Sequence, residues 1–159
     1  MQKKKICMVG DFSVGKTSLT QKFVNNVFSD KYLTTIGVKI DTAEIDETKL
    51  IIWDVAGRDS LSPINASYLV GATGVVLVCD GARSSTVSDL LDIWKTVTDR
   101  IGEVPAVVAL NKADLPEWNI DVSMYTAFEQ RGWDVFATSA KEGDNVNKMF
   151  EKLVEKLSS

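Results

Sequence analysis

The chain has 159 residues, 45% hydrophobic, 25% charged and 8% aromatic, with 18 Lys+Arg against 22 Asp+Glu. One domain's length in ordinary globular proportions, read as a single domain over 1–159, excludes disorder, collagen and coiled coil. The formal charge of −4 argues against a nucleic-acid partner, which calls for a basic excess. With no histidine, Ser-His-Asp and Cys-His nucleophiles and HExxH zinc hydrolysis are all removed. The two cysteines, Cys7 and Cys79, are too few for a thiolate metal cage, and both sit in apolar runs as small buried hydrophobes.

Taken in order, Ile6–Val9 is a short apolar strand ending in a glycine turn. From Lys16 the pattern turns helical, with Leu19, Phe23, Val24 and Val27 on one stripe. Ser29–Thr35 reads as polar and irregular. Gly37–Ile45 and Lys49–Val55, joined by Asp46-Glu47-Thr48, predict an antiparallel hairpin. Gly74–Cys79 and Ala106–Leu110 are continuous apolar runs. Between them Val87, Leu90, Leu91, Trp94, Val97 and Ile101 form a helical stripe, with Ser84 and Ser85 as caps. A short strand, Asp134–Ala137, precedes a last helix carrying Val146, Met149, Phe150, Leu153, Val154 and Leu157. Strands alternating with helices mean βαβ units and a mainly parallel α/β sheet, with ligands at the carboxyl ends of the strands. No run reaches a membrane span, and the apolar stretch after the basic N-terminus is too short for an export segment. A cytoplasmic protein is expected.

Gly10-Asp11-Phe12-Ser13-Val14-Gly15-Lys16-Thr17 fits GxxxxGK(S/T), following a strand and opening a helix as the mechanism requires. Gly10 and Gly15 free the backbone so that successive N–H groups face one anion, and the helix N-terminus adds its dipole. Lys16 would reach the β- and γ-phosphates and Thr17 would ligate Mg2+. Asn111-Lys112-Ala113-Asp114 stands at the next strand's carboxyl end. A carboxylate there accepts two hydrogen bonds from guanine's N1–H and exocyclic amine, a donor pair adenine lacks. Thr138-Ser139-Ala140-Lys141 follows the strand after that.

With these motifs the sequence resembles the Ras superfamily of small GTPases, most closely the Rab branch. The resemblance covers essentially the whole chain, through the Gly10 motif, Thr35-Ile36-Gly37-Val38, Trp53-Asp54-x-Ala56-Gly57, Asn111-Lys112-x-Asp114 and Ser139-Ala140-Lys141. It implies a P-loop NTPase G domain, a six-stranded sheet with five strands parallel and the second antiparallel, flanked by five helices. It further implies GTP/GDP and Mg2+ as ligands. Residues Asp11 to Ser18 would hold the phosphates, with Ser18 on the α-phosphate. Phe28 and Lys112 would cover the two faces of guanine, Asn111 would brace the loop, and the Ala140 N–H would donate to the guanine carbonyl beside Ser139 and Lys141. Thr35 would ligate Mg2+ and touch the γ-phosphate, Asp54 would hold the ion through water, and the Gly57 N–H would sense the γ-phosphate. Tyr32 would fold over the phosphates. For Phe28 and Tyr32, plain packing stays open.

Three departures stand out. Arg58 occupies the place of the glutamine that orients the attacking water in the family. Phe12 and Ser13 fill positions usually held by small residues. No cysteine for prenylation follows the last helix, so no direct membrane anchor is expected in this chain; a missing tail or a partner would have to supply peripheral membrane association. The positions matching the Rab aromatic triad read Ile40, Trp53 and Tyr68, and for Trp53 a core role and an interface role stay open. The expected function is a monomeric guanine-nucleotide switch with slow hydrolysis. Lys16, Thr35, Gly57 and Arg58 would be its catalytic residues, and segments 29–40 and 54–70 would present a nucleotide-dependent face to effector and regulatory proteins. The alternative is a GTP-binding interaction module with negligible hydrolysis, because guanidinium has donors only. A metabolite kinase or ATPase is disfavoured by Asp114 and by the lack of an inserted lid.

Overall fold

The uninterrupted apolar runs are strands whose two faces are both covered. The computed structural model describes residues 2–11, 14–25, 29–33, 39–54 and 65–158, with the backbone alone at 29–33 and 65–66. In chain order these form β1 (Gln2–Gly10), α1 (Lys16–Val24), β2 (Ser29–Leu33), β3 (Lys39–Ile45), β4 (Thr48–Asp54) and a 3-10 turn (Asn65–Leu69). There follow β5 (Gly74–Asp80), α2 (Ser84–Ser88), α3 (Leu90–Ile101), β6 (Ala106–Asn111), α4 (Val122–Gln130), β7 (Asp134–Ala137) and α5 (Val146–Leu157).

The strands make one sheet in the order β2-β3-β4-β1-β5-β6-β7. Strands β4, β1, β5, β6 and β7 run parallel, and β3 pairs antiparallel with β4 as the hairpin pattern predicts. Where the sequence reads as irregular, β2 adds a short edge strand antiparallel to β3, from Ser29↔Ala43 to Leu33↔Lys39. The described sheet therefore has seven strands, one more than expected. Ser29-Asp30-Lys31 shows no apolar alternation, and it joins the sheet by backbone pairing with β3.

Alternation inside the apolar runs divides the core in two. Ile6 and Met8 of β1, Val76 and Val78 of β5, and Val107 and Ala109 of β6 face α1 and α5. Cys7 and Val9, Val75, Leu77 and Cys79, and Val108 and Leu110 face α3 and α4. Phe23 of α1 stacks on Phe150 of α5 with centroids 4.1 Å apart. On the other face Trp94 meets Trp133 edge-on at 5.2 Å. Both cysteines are free and buried, and burial pushes each thiol up to about 12.

The helices hold corrections. Helices α2 and α3 abut at Asp89, and the residue before the first turn is Arg83, in extended conformation with no side-chain cap, rather than Ser84 or Ser85. Thr86 closes that turn instead, its hydroxyl donating to the Arg83 carbonyl at 2.7 Å. On α3 the fully buried positions are Leu90, Ile93 and Val97, while Leu91 is 40% exposed. Helix α4 presents a short apolar face, with Phe128 buried and Met124 and Tyr125 partly buried against the same core. Its start lies in a cap, Asp121 accepting from the Ser123 N–H at 2.9 Å.

Candidate functional site

The phosphate loop leaves β1 at Gly10 and enters α1 at Lys16. Gly15 carries φ +105, in the left-handed region, and a Cβ there would stand 2.2 Å from the Asn111 amide nitrogen. Gly10 is needed for another reason than the sequence suggested. Its φ is not positive, but a Cβ would lie 2.3 Å from the Val78 carbonyl oxygen. Close approach to β5 excludes a side chain. Lys16 is buried, and its ammonium donates to the Gly10 and Asp11 carbonyls, each at 2.9 Å. Burial lowers its pKa, against the pull of Asp54 and Asp11. Asp11 thus touches Lys16 through its backbone. Its side chain hydrogen-bonds Asp89, which with burial as the larger cause raises its pKa.

Thr17 donates its hydroxyl to Asp54 Oδ2 at the end of β4. The other oxygen, Asp54 Oδ1, is buried with no hydrogen-bond partner among the described residues. A buried carboxylate oxygen left unpaired is costly, and it fits a hard cation, as does the hydroxyl beside it. Among the described residues no group of three or more His, Cys, Asp or Glu could cage a metal. An ion here would therefore draw most of its ligands from phosphate and water, as Mg2+ does.

Next to the phosphate loop lies a pocket of about 480 Å³, whose wall includes Gly15, Ser18, Asn111, Lys112, Asp114 and Lys141, with Leu115 and Ala140 completing it. Asn111 is 1% exposed; its Nδ2 donates to the Val14 carbonyl at 2.9 Å and its Oδ1 accepts from Thr138 Oγ1 at 3.0 Å. Ser139 donates to Asp114 Oδ1 at 2.9 Å and itself accepts the Glu142 N–H at 3.0 Å. Asp114 is therefore held by Ser139 before any ligand arrives. A larger open groove, about 1170 Å³, lies between the β3–β4 turn and the end of α5, away from all these residues.

The Ras family model matches residues 5–159. The chain belongs to the Ras family. It is 35% identical to the Ras-related protein Rab-1 of Theileria parva, over 96% of this chain and 73% of that protein. To the Ras-related protein SEC4 of Saccharomyces cerevisiae it is 33% identical, over 95% and 73%. To the human Ras-related protein Rab-7L1 it is 30% identical, over 96% and 81%. The chain is accordingly a Rab-like small GTPase, of a family whose members bind guanine nucleotides as switches and hydrolyse GTP.

The three positions matching the Rab aromatic triad are brought together. Ile40, 5% exposed, packs with Ile51, Trp53 and Tyr68, and the Trp53 and Tyr68 rings lie 6.2 Å apart. Trp53 is half-buried and belongs to core and surface at once. The Lys5 ammonium stands 3.8 Å from its ring centre and donates to the Val70 carbonyl at 2.7 Å. Phe12, Ser13, Phe28, Thr35, Gly57 and Arg58 lie outside the described residues, and of Tyr32 only the backbone is described, opposite Ile40 in β2. Sequence reasoning named Thr138 only as part of a motif and not as the residue that holds Asn111, and it missed Asp80, which closes β5 beside it. A polar residue ending an apolar strand at the ligand edge was the available signal for Asp80.

Proposed function

We propose that this Ras-family protein binds GTP and GDP with Mg2+ in the pocket beside Gly15 and hydrolyses GTP slowly, its segments 29–40 and 54–70 carrying the nucleotide state to a partner. What carries the reading is the convergence, at one edge of the sheet, of a buried Lys16 ammonium, the Thr17–Asp54 pair with its unpartnered oxygen, and a pocket walled by Asp114. The two hydrogen bonds that the Lys16 ammonium makes among the described residues go to neutral backbone carbonyls, so a phosphate would replace neutral acceptors by charged ones. Asp114, oriented by Ser139, would accept from guanine, with the Ala140 N–H on the carbonyl side and Lys112 along a ring face. Thr17 and Thr35 would ligate the ion and Asp54 would hold it through water. A bound Mg2+ supplies neutralisation of phosphate charge. Ser18 would contact the α-phosphate, while Thr35 and Gly57 would meet the γ-phosphate and so couple nucleotide state to the Ile40–Trp53–Tyr68 face.

Arg58 sets the rate. Its guanidinium cannot accept a hydrogen bond from the attacking water, so intrinsic hydrolysis is expected at or below that of unaided Ras, about 3–5 × 10⁻⁴ s⁻¹. Single-turnover GTP hydrolysis by the protein and by Arg58→Gln tests this. A faster Arg58→Gln means a lost catalyst; a slower one means that Arg58 stabilises the transition state. No measurable turnover in the unmutated protein favours an interaction module that binds GTP without hydrolysing it. Turnover many times faster than unaided Ras, unaffected by Arg58→Ala, refutes the slow-rate reading.

A further inference from the structure

Asp80 ends β5 at the ligand edge of the sheet, in register with Asn111. Its side chain is 3% exposed, yet it is surrounded by donors. Oδ1 accepts the Ala82 N–H at 2.8 Å, and Oδ2 accepts Arg83 Nε and Lys112 Nζ, each at 3.0 Å. The backbone is pinned as well, the Asp80 N–H donating to Thr86 Oγ1 at 2.9 Å. Beside it Gly81 lies under an aromatic ring: a Cβ there would be 2.1 Å from the Trp118 indole nitrogen. This carboxylate is fixed from several directions before Lys112 reaches it.

Lys112 is held in an unusual way. Its φ is +66, the left-handed region that a side-chain-bearing residue adopts only when its surroundings impose it. The turn is closed by the Leu115 N–H donating to the Lys112 carbonyl at 3.0 Å. Its stem forms part of the pocket wall while its ammonium sits on Asp80. A partly exposed lysine left to itself samples many rotamers, and ordering it on binding would cost affinity. We propose that Asp80 is a positioning residue, its buried carboxylate tethering the Lys112 ammonium so that the lysine stem stands as a preformed wall of the base pocket. Burial alone would raise the Asp80 pKa, but the Ala82 N–H, Lys112 and Arg83 together hold it below the usual carboxylate range, so the tether is charged at neutral pH.

The inference rests on the guanine-nucleotide reading and is tested by a double-mutant cycle on release of fluorescent N-methylanthraniloyl-GDP from the whole chain with Mg2+. Asp80→Asn keeps the shape and the Ala82 contact but replaces an ionic acceptor by an amide. Release is expected to quicken by about tenfold. In a Lys112→Met background the same Asp80→Asn change is expected to alter release less than about twofold, because the group it acts through is gone. Equal acceleration in both backgrounds would mean a general structural role and overturn the proposal, as would unchanged release in the first. If Asp80→Asn does not fold, Asp80→Ser is put through the same cycle with the same expectations. Failure of the unmutated chain to bind labelled GDP would sink the guanine reading and this proposal with it; tight binding with an uncoupled Asp80 sinks this proposal alone.

Discussion

Replacing Asn111 by alanine removes a side chain that ties the phosphate loop to the base-reading loops. Two bonds are lost: Nδ2 to the Val14 carbonyl at 2.9 Å and Thr138 Oγ1 to Oδ1 at 3.0 Å. Both sites are buried, so water does not readily replace the missing partner. At about 1–2 kcal/mol for each group left unpaired, Asn111→Ala costs about 3 kcal/mol. For a domain of this size each kcal/mol moves Tm by about 2–4 °C, giving a fall of about 6–12 °C. Thr138→Val breaks only the second bond and is expected to cost roughly half as much. Urea and thermal unfolding of both variants, with and without GDP, measure this, and labelled-GDP release reports the loosened phosphate loop. An Asn111→Ala protein melting within about 2 °C of the unmutated one and releasing nucleotide at the same rate would refute the bracing role.

Asp114→Asn exchanges an acceptor for a donor facing guanine's own donors; weaker GTP binding and a shift toward xanthine nucleotides are expected in competition binding, since the xanthine C2 carbonyl suits the new donor. Lys5→Met keeps the stem but loses the Val70 hydrogen bond and the charge over Trp53, lowering stability by about 1 kcal/mol and speeding amide exchange around the 3-10 turn. The thiols of Cys7 and Cys79 should be unreactive to a thiol reagent in the native protein and both titrate on unfolding. Their pKa values are raised by burial from 9.0 to about 12, so the folded state binds protons that the unfolded state releases. That contribution is complete below pH 9 and is lost as pH rises toward 12, which a pH series of unfolding curves would record.

Much of the molecule was legible because its signals are local. The apolar runs of β1, β5 and β6 require burial on both faces, and glycine next to lysine between a strand and a helix leaves few alternatives to a phosphate loop. Elements held by backbone pairing or by a few side chains were not legible. Strand β2 has no alternation, and α4 is marked by the Asp121 cap and a short face of Met124, Tyr125 and Phe128, of which only Phe128 is buried. On α3 the stripe placed Leu91 inside, whereas the buried face is Leu90, Ile93 and Val97, at i, i+3 and i+7, with Leu91 on the flank. In the site, Thr17 meets Asp54, Asn111 meets the Val14 carbonyl of the phosphate loop and Ser139 meets Asp114. Asp80 and Thr86 did not stand out, nor did the role of Thr138, because their work is to hold other residues. A bond such as Thr138 to Asn111, 27 positions apart in sequence, follows only from the parallel order of β6 and β7.

Guanine specificity is the claim on which the account turns, and side-by-side equilibrium binding of GDP, GTP, ADP and ATP to the purified protein with Mg2+ tests it most directly. An Asp114 already held by Ser139 predicts that GDP and GTP bind tightly while the adenine nucleotides bind weaker by about 10⁴-fold or more, the discrimination expected when buried polar groups of a site lose their partners. Equal affinity for guanine and adenine nucleotides would contradict it.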